Sequence, residues 1–102
     1  EEILDSRKLD LVLSDMAPKI SGVRIVDDSA SRELADEALN TASRYLGPGG
    51  VMVSKLFQGI EAQSFVEELK NCFLKAVIFK PEASRSESRE VFVVANGFRS
   101  KL

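Results

Sequence analysis

Apolar and polar residues follow two rhythms along this chain, and the changes between them mark out strands and helices. Leu9 to Ser14 (LDLVLS) puts apolar side chains on both faces of a short run, as in a strand buried within a parallel sheet. The run stops at Asp15, and from Pro18 to Asp28 the chain reads as irregular, with Ser21-Gly22 as a turn. From Ser29 to Tyr45, Ala30, Leu34, Ala35, Ala38, Leu39 and Ala42 recur at helical spacing, continued by Leu46, and predict an amphipathic helix. Asp27, Asp28 and Ser29 place hydrogen-bond acceptors and negative charge at its start. Gly47-Pro48-Gly49-Gly50 stops it. Val51 to Phe57 (VMVSKLF) is the second predicted strand, and Gly59 a turn. Ile60 to Cys72 follows as a second amphipathic helix, with Phe65, Val66, Leu69, Cys72 and Phe73 on one side. Leu74 to Phe79 is a third strand closed by Lys80-Pro81. A polar loop from Glu82 to Arg89 then leads into a fourth strand, Glu90 to Ala95 (EVFVVA).

The order β-α-β-α-β-β defines an α/β chain with directional consequences. Both helices should be right-handed crossovers, which makes the first three strands parallel. Only a loop joins the last two strands, so the final strand should run antiparallel. The C-terminal tips of the parallel strands then share a sheet edge with the start of the reversed one. Asp15, Lys55 and Glu90 occupy those positions. Open α/β sheets bind ligands in the crevice at that edge.

Composition narrows the chemistry. With 102 residues, 44% hydrophobic and 29% charged, the chain has room for one compact domain and is neither disordered, collagen-like nor coiled coil. A net charge of -2 does not advertise nucleic-acid binding. One cysteine cannot form an intramolecular disulfide. The lack of histidine removes imidazole acid–base chemistry and histidine metal sites, and no metal site is expected. No apolar run reaches the roughly 18 residues of a membrane span. The first residue is Glu1 rather than Met and no targeting segment is visible, so the expectation is a processed chain or an excised piece.

Each candidate also has a structural explanation. Asp15 suits a turn that hydrogen-bonds its own backbone. Lys55 stands in a run that reads as a central strand, where an ammonium is costly without partners, unless it snorkels from the strand end. Glu90 alone reads as the end of a solvated loop. Their convergence is the informative feature, because an Asp, a Lys and a Glu within reach can tune one another's ionisation and orient a hydroxyl. Gly47-Pro48-Gly49-Gly50 leaves a helix and enters a strand, the wrong order for a phosphate loop. Cys72, with no second cysteine nearby, reads as an inert, half-buried thiol on its helix. Arg85 and Arg89 of SRSESR, with Lys80 just before them, offer local cations for phosphate contacts beside the proposed site.

Three blocks carry a family resemblance: Asp10 to Gly22 (DLVLSDMAPKISG), Gly47 to Gly59 (GPGGVMVSKLFQG) and Lys80 to Ala95 (KPEASRSESREVFVVA). In this order and spacing, from about Leu9 to Arg99, they resemble the FtsJ-like ribosomal RNA 2′-O-ribose methyltransferases. The resemblance implies a Rossmann-like, S-adenosylmethionine-dependent methyltransferase fold with an antiparallel last strand, and methyl transfer to a ribose 2′-hydroxyl in ribosomal RNA. Of the family's Lys-Asp-Lys-Glu tetrad, Asp15, Lys55 and Glu90 match the last three members. By the same resemblance Asp15, Met16, Ala17 and Pro18 would touch the cofactor and Lys80, Arg85 and Arg89 the RNA. Lys55 would orient or deprotonate the 2′-hydroxyl, given a depressed pKa. Asp15 would hold the cofactor's charged centre or a neighbouring lysine, and Glu90 would position Lys55 or the ribose.

Departures from the family pattern set the remaining expectations. The first tetrad lysine, the Gly-rich loop for the methionine end of the cofactor and the acidic residue for its ribose are all missing. Residues 1–102 correspond to the C-terminal half of such a domain. Lys19 stands where asparagine is usual and Phe92 where tyrosine is common. The 102 residues alone are expected to be inactive. Their exposed first strand should pair with the missing N-terminal half or self-associate. A non-catalytic RNA- or protein-binding module is the alternative; a flavodoxin-like domain is disfavoured by the reversed strand. The resemblance implies an intracellular protein of cytoplasm, mitochondrion or nucleolus, with no membrane partner.

Overall fold

The computed structural model describes residues 9–80 and 89–99. Its elements are β1 (Leu9–Ser14), α1 (Arg24–Tyr45), β2 (Leu46–Phe57), α2 (Ile60–Leu69), β3 (Phe73–Phe79) and β4 (Glu90–Phe98). The four strands form one sheet in the order β1-β2-β4-β3. β1 pairs parallel with β2, while β4 lies antiparallel between β2 and β3. The first three strands therefore point one way and the last runs against them, as the element order requires.

Strand alternation builds the core. Met52, Leu56, Val93, Ala95 and Ala76 face the helices and are buried against Ala35, Leu39, Ala42, Phe65 and Leu69. Full burial of the Met, Leu, Val and Phe side chains among them contributes roughly 1.5–3 kcal/mol each. Phe73 and Phe98 pair at the base of β3 and β4 with ring centroids 5.2 Å apart. Arg32 ties α1 to α2 through Glu61 and Glu68, while its guanidinium lies over the Phe65 ring. On the other sheet face, cross-strand neighbours Leu13, Val53, Val94 and Val77 form an apolar row, of which Leu13 and Val77 are exposed. Both helices pack on one side, so this row has no cover among the described residues.

Several boundaries differ from the sequence expectation. α1 begins at Arg24 rather than Ser29, because Asp27 caps the preceding loop from inside the helix. Ile25 and Val26 in that first turn are exposed, so no burial pattern announced it. β2 already begins at Leu46, which pairs with Leu9 across an irregularity in register, so the glycine-proline run both ends α1 and opens β2. α2 ends at Leu69, leaving Cys72 in the following turn and fully buried rather than half-buried. β4 continues past Ala95 to Phe98 through Gly97, whose φ is 78°.

A Cβ at Gly97 would lie 2.7 Å from Leu74 Cβ, whereas one at Gly22, with φ 90°, would meet nothing within 4 Å. Gly22→Ala should therefore cost only the left-handed backbone penalty of about 1–2 kcal/mol. Gly97→Ala adds overpacking and should cost about 2–4 kcal/mol. Urea denaturation of the two variants checks the difference.

Candidate active site

Three strand ends meet at one edge of the sheet. Ser54 and Leu56, buried on the helix side, force the intervening Lys55 onto the opposite face. Val91 does the same for Glu90 at the start of β4, and Asp15 follows directly after β1. Register places Lys55 opposite Phe92, and Phe57 opposite Glu90. Lys55 Nζ lies 2.8 Å from Asp15 Oδ1 and 3.8 Å from Glu90 Oε1. The lysine side chain is 18% exposed, against 69% for Asp15. A half-shielded ammonium thus stands between two more accessible carboxylates.

The electrostatics of this arrangement correct one expectation. The hydrogen bond to Asp15 holds the Lys55 pKa above its ordinary 10.5, with Glu90 adding to the effect and burial opposing it. A depressed pKa was the condition for Lys55 as a base, and the structure shows the reverse. Paired in this way, Lys55 is a stable ammonium and a hydrogen-bond donor.

The first turns of α1 brace these strand ends. Asp27, 4% exposed, accepts from the Ser21 amide at 2.8 Å, the Ser21 hydroxyl at 2.7 Å and the Gly22 amide at 3.3 Å. That pins the far end of the loop beginning at Asp15. The bonds from Ser21 hold the Asp27 carboxyl below its ordinary value, helped by Gly22 and Arg89 and opposed by burial. Ser31, also buried, accepts from the Phe57 amide at 3.0 Å and so fixes the end of β2. Asp27 and Asp28 stood out in the sequence only as helix-start residues. Asp27 bonds back to Ser21 and Gly22 just upstream, whereas the partner of Asp28, Arg89, is remote in sequence and no local pattern signals it.

Of the other expected residues, Met16 and Ala17 are exposed and Pro18 partly buried just beyond Asp15. Exposed Lys80 follows β3 at the same edge. Arg85 lies outside the described residues. Arg89 turns inward: its Nη2 donates to Asp28, and its guanidinium covers the Phe57 ring at 5.1 Å. A cavity of about 200 Å³ opens between β1 and α1, lined by Val12, Ser14, Met16, Leu34, Ala38 and Thr41 among others, separate from Lys55 and Glu90.

Known proteins match this chain over nearly its whole length. A model of the FtsJ-like methyltransferase family matches residues 1–98. A ribosomal RNA large subunit methyltransferase E from Stutzerimonas stutzeri is 47% identical over 98 residues, covering 96% of this chain and 48% of that protein. One of the same name from Cellvibrio japonicus is 50% identical over 90 residues, covering 88% and 43% respectively. A Plasmodium falciparum crystal structure, described as a ribosomal RNA methyltransferase, superposes with a TM-score of 0.85 at 29% identity, covering 98% of this chain and 52% of that one. The chain spans about half the length of the curated relatives it matches.

Two titrations test the site. Replacing Asp15 by Asn removes the largest cause of the upward shift, so Lys55 should titrate at lower pH, as followed by NMR of its Cε and Nζ. Asp27, with its lowered folded-state pKa, contributes stability above the ordinary carboxylate value of 3.8, lost as pH falls through the folded value. Urea denaturation from neutral to acid pH should show that loss, and Asp27→Asn should flatten it.

Proposed function

The chain belongs to the FtsJ-like methyltransferase family, and from that premise we propose that it forms the catalytic edge of an enzyme that methylates ribose 2′-hydroxyls in ribosomal RNA. The observation that carries the reading is Lys55 held between Asp15 and Glu90 at the strand-end crevice. A purely structural module has no use for a half-shielded ammonium with two carboxylates at a ligand-binding edge. The relatives are named as ribosomal RNA methyltransferases, and an RNA substrate would place the protein inside the cell.

The residues present fit one wall of an S-adenosylmethionine site. Asp15 supplies an exposed anion toward a cationic centre, with Met16 and Ala17 exposed beside it for apolar contact. When bound, S-adenosylmethionine supplies a methyl group activated by a sulfonium cation. Lys55 donates a hydrogen bond to the ribose 2′-oxygen and aims it, an orienting role that its raised pKa supports. Asp15 and Glu90 fix the Lys55 ammonium, and the Glu90 carboxylate would accept the hydrogen bond of the ribose 2′-hydroxyl and then its proton. Alignment of oxygen and methyl, rather than covalent catalysis, supplies most of the acceleration. Lys80, exposed at the same edge, would contact the RNA backbone in this reading, with Arg85, outside the described residues, as a second candidate cation.

The partner that completes the site is the complementary half of the domain. Three surfaces suit it: the free edge of β1, the adjoining cavity against α1, and the uncovered row of Leu13, Val53, Val94 and Val77. Parallel α/β sheets ordinarily have both faces covered. No helix among the described residues is long and apolar enough to cross a membrane.

A chimaera tests the reading. Residues 1–98 replace the matching segment of the Stutzerimonas stutzeri relative, and methyl transfer to ribosomal RNA is measured. Activity is expected in the chimaera and not in the 102-residue chain alone. Lys55→Ala should lower kcat by about 100- to 1,000-fold, the cost of losing one positioned donor, without unfolding the protein. An inactive but folded chimaera that still binds RNA would favour the non-catalytic module.

A further inference from the structure

Glu90 is the first residue of β4, and its cross-strand partner Phe57 is the last residue of β2. Strand ends fray unless something beyond the final pair holds them. Here Arg89 does so from several directions. Its Nη2 donates to the Asp28 carboxylate on α1 and sits 3.5 Å from the Gln58 carbonyl oxygen. Its own carbonyl accepts from the Gln58 amide at 2.6 Å. Its guanidinium stacks 5.1 Å above the Phe57 ring, and its Nε is buried without a hydrogen-bond partner. The Arg89 and Asp28 side chains are 31% and 20% exposed, so the pair is shielded more than an ordinary surface bridge. An RNA phosphate would have to displace Asp28 to engage the same nitrogen.

We propose that Asp28 and Arg89 are a positioning pair that sets Glu90 against Lys55, so that Arg89 serves the site by anchoring β4 to α1 rather than by binding RNA. The proposal builds on the methyltransferase reading but concerns the geometry of the Lys55–Glu90 contact itself. With Asp27 on the loop after β1 and Ser31 on the end of β2, Asp28 makes α1 the common brace for all three strand ends. Arg89 thus moves from the RNA-contacting group to the supporting one.

The first test is independent of methyl transfer. In the 102-residue protein, Asp28→Asn and Arg89→Lys should each let Glu90 move away from Lys55, and Lys55 should titrate at lower pH by NMR. Asp36→Asn breaks an ion pair with Arg32 elsewhere on α1, away from the strand ends. It should leave the Lys55 titration unchanged whatever it does to melting. An unchanged Lys55 titration in both site variants overturns the proposal. So does loss of folding in both, which would make the pair a structural staple.

The second test uses the active chimaera. Asp28→Asn and Arg89→Lys should each lower kcat by about 10- to 100-fold, as expected for a misplaced reacting group. KM for RNA should stay within about threefold, and the double variant should be no worse than the weaker single one. A phosphate ligand predicts the opposite: Arg89→Lys raises KM, Arg89→Gln flattens the salt dependence by about one unit of slope, and Asp28→Asn leaves kcat intact. That pattern overturns the proposal. A chimaera with no activity at all counts against the methyltransferase reading, while the Lys55 titration still judges the pair.

Discussion

The insertion of β4 between β2 and β3, running against both, is the constraint from which the site follows. A strand entering from the opposite direction delivers its first residue where its neighbours deliver their last. Glu90 is thereby laid beside the end of β2, and Lys55, two residues short of that end, meets a carboxylate from each side. Without the reversal, Lys55 would have Asp15 as its single carboxylate partner among the three site residues.

Much of this was readable before any coordinates. The alternation of strands and helices, the missing helix before β4 and the direction rules for crossovers were enough to bring Asp15, Lys55 and Glu90 together. The ionisation of Lys55 was not readable. Burial and nearby carboxylates pull its pKa in opposite directions, and only the 2.8 Å contact with Asp15 decides the sign. The start of α1 was missed for a related reason. Arg24, Ile25 and Val26 carry no burial pattern, because that turn is held by Asp27 bonding backward rather than by packing. Arg89 looked like a solvated loop cation in SRSESR, since nothing local reveals that Asp28 and the Phe57 ring would claim it.

The sheet is unequal on its two faces. Helices α1 and α2 cover one with a close-packed core around Phe65, Met52 and Val93. The site residues stand on the other, with Lys55 two residues beyond Val53 of the apolar row that includes exposed Leu13 and Val77. The edge that carries Lys55 and the uncovered apolar row are thus contiguous.

The position of β4 also sets a schedule. It is the last described strand in sequence yet lies inside the sheet, and β3 has no described strand to pair with until it arrives. Its pairing with β2 must close a long loop containing α2 and β3, a slow and entropically costly step. While a ribosome is still making this stretch, β1, α1 and β2 can gather, but the lysine has only one of its two carboxylates. The second carboxylate therefore joins the charged centre last, and a chain cut short before Glu90 carries only the Lys55–Asp15 pair.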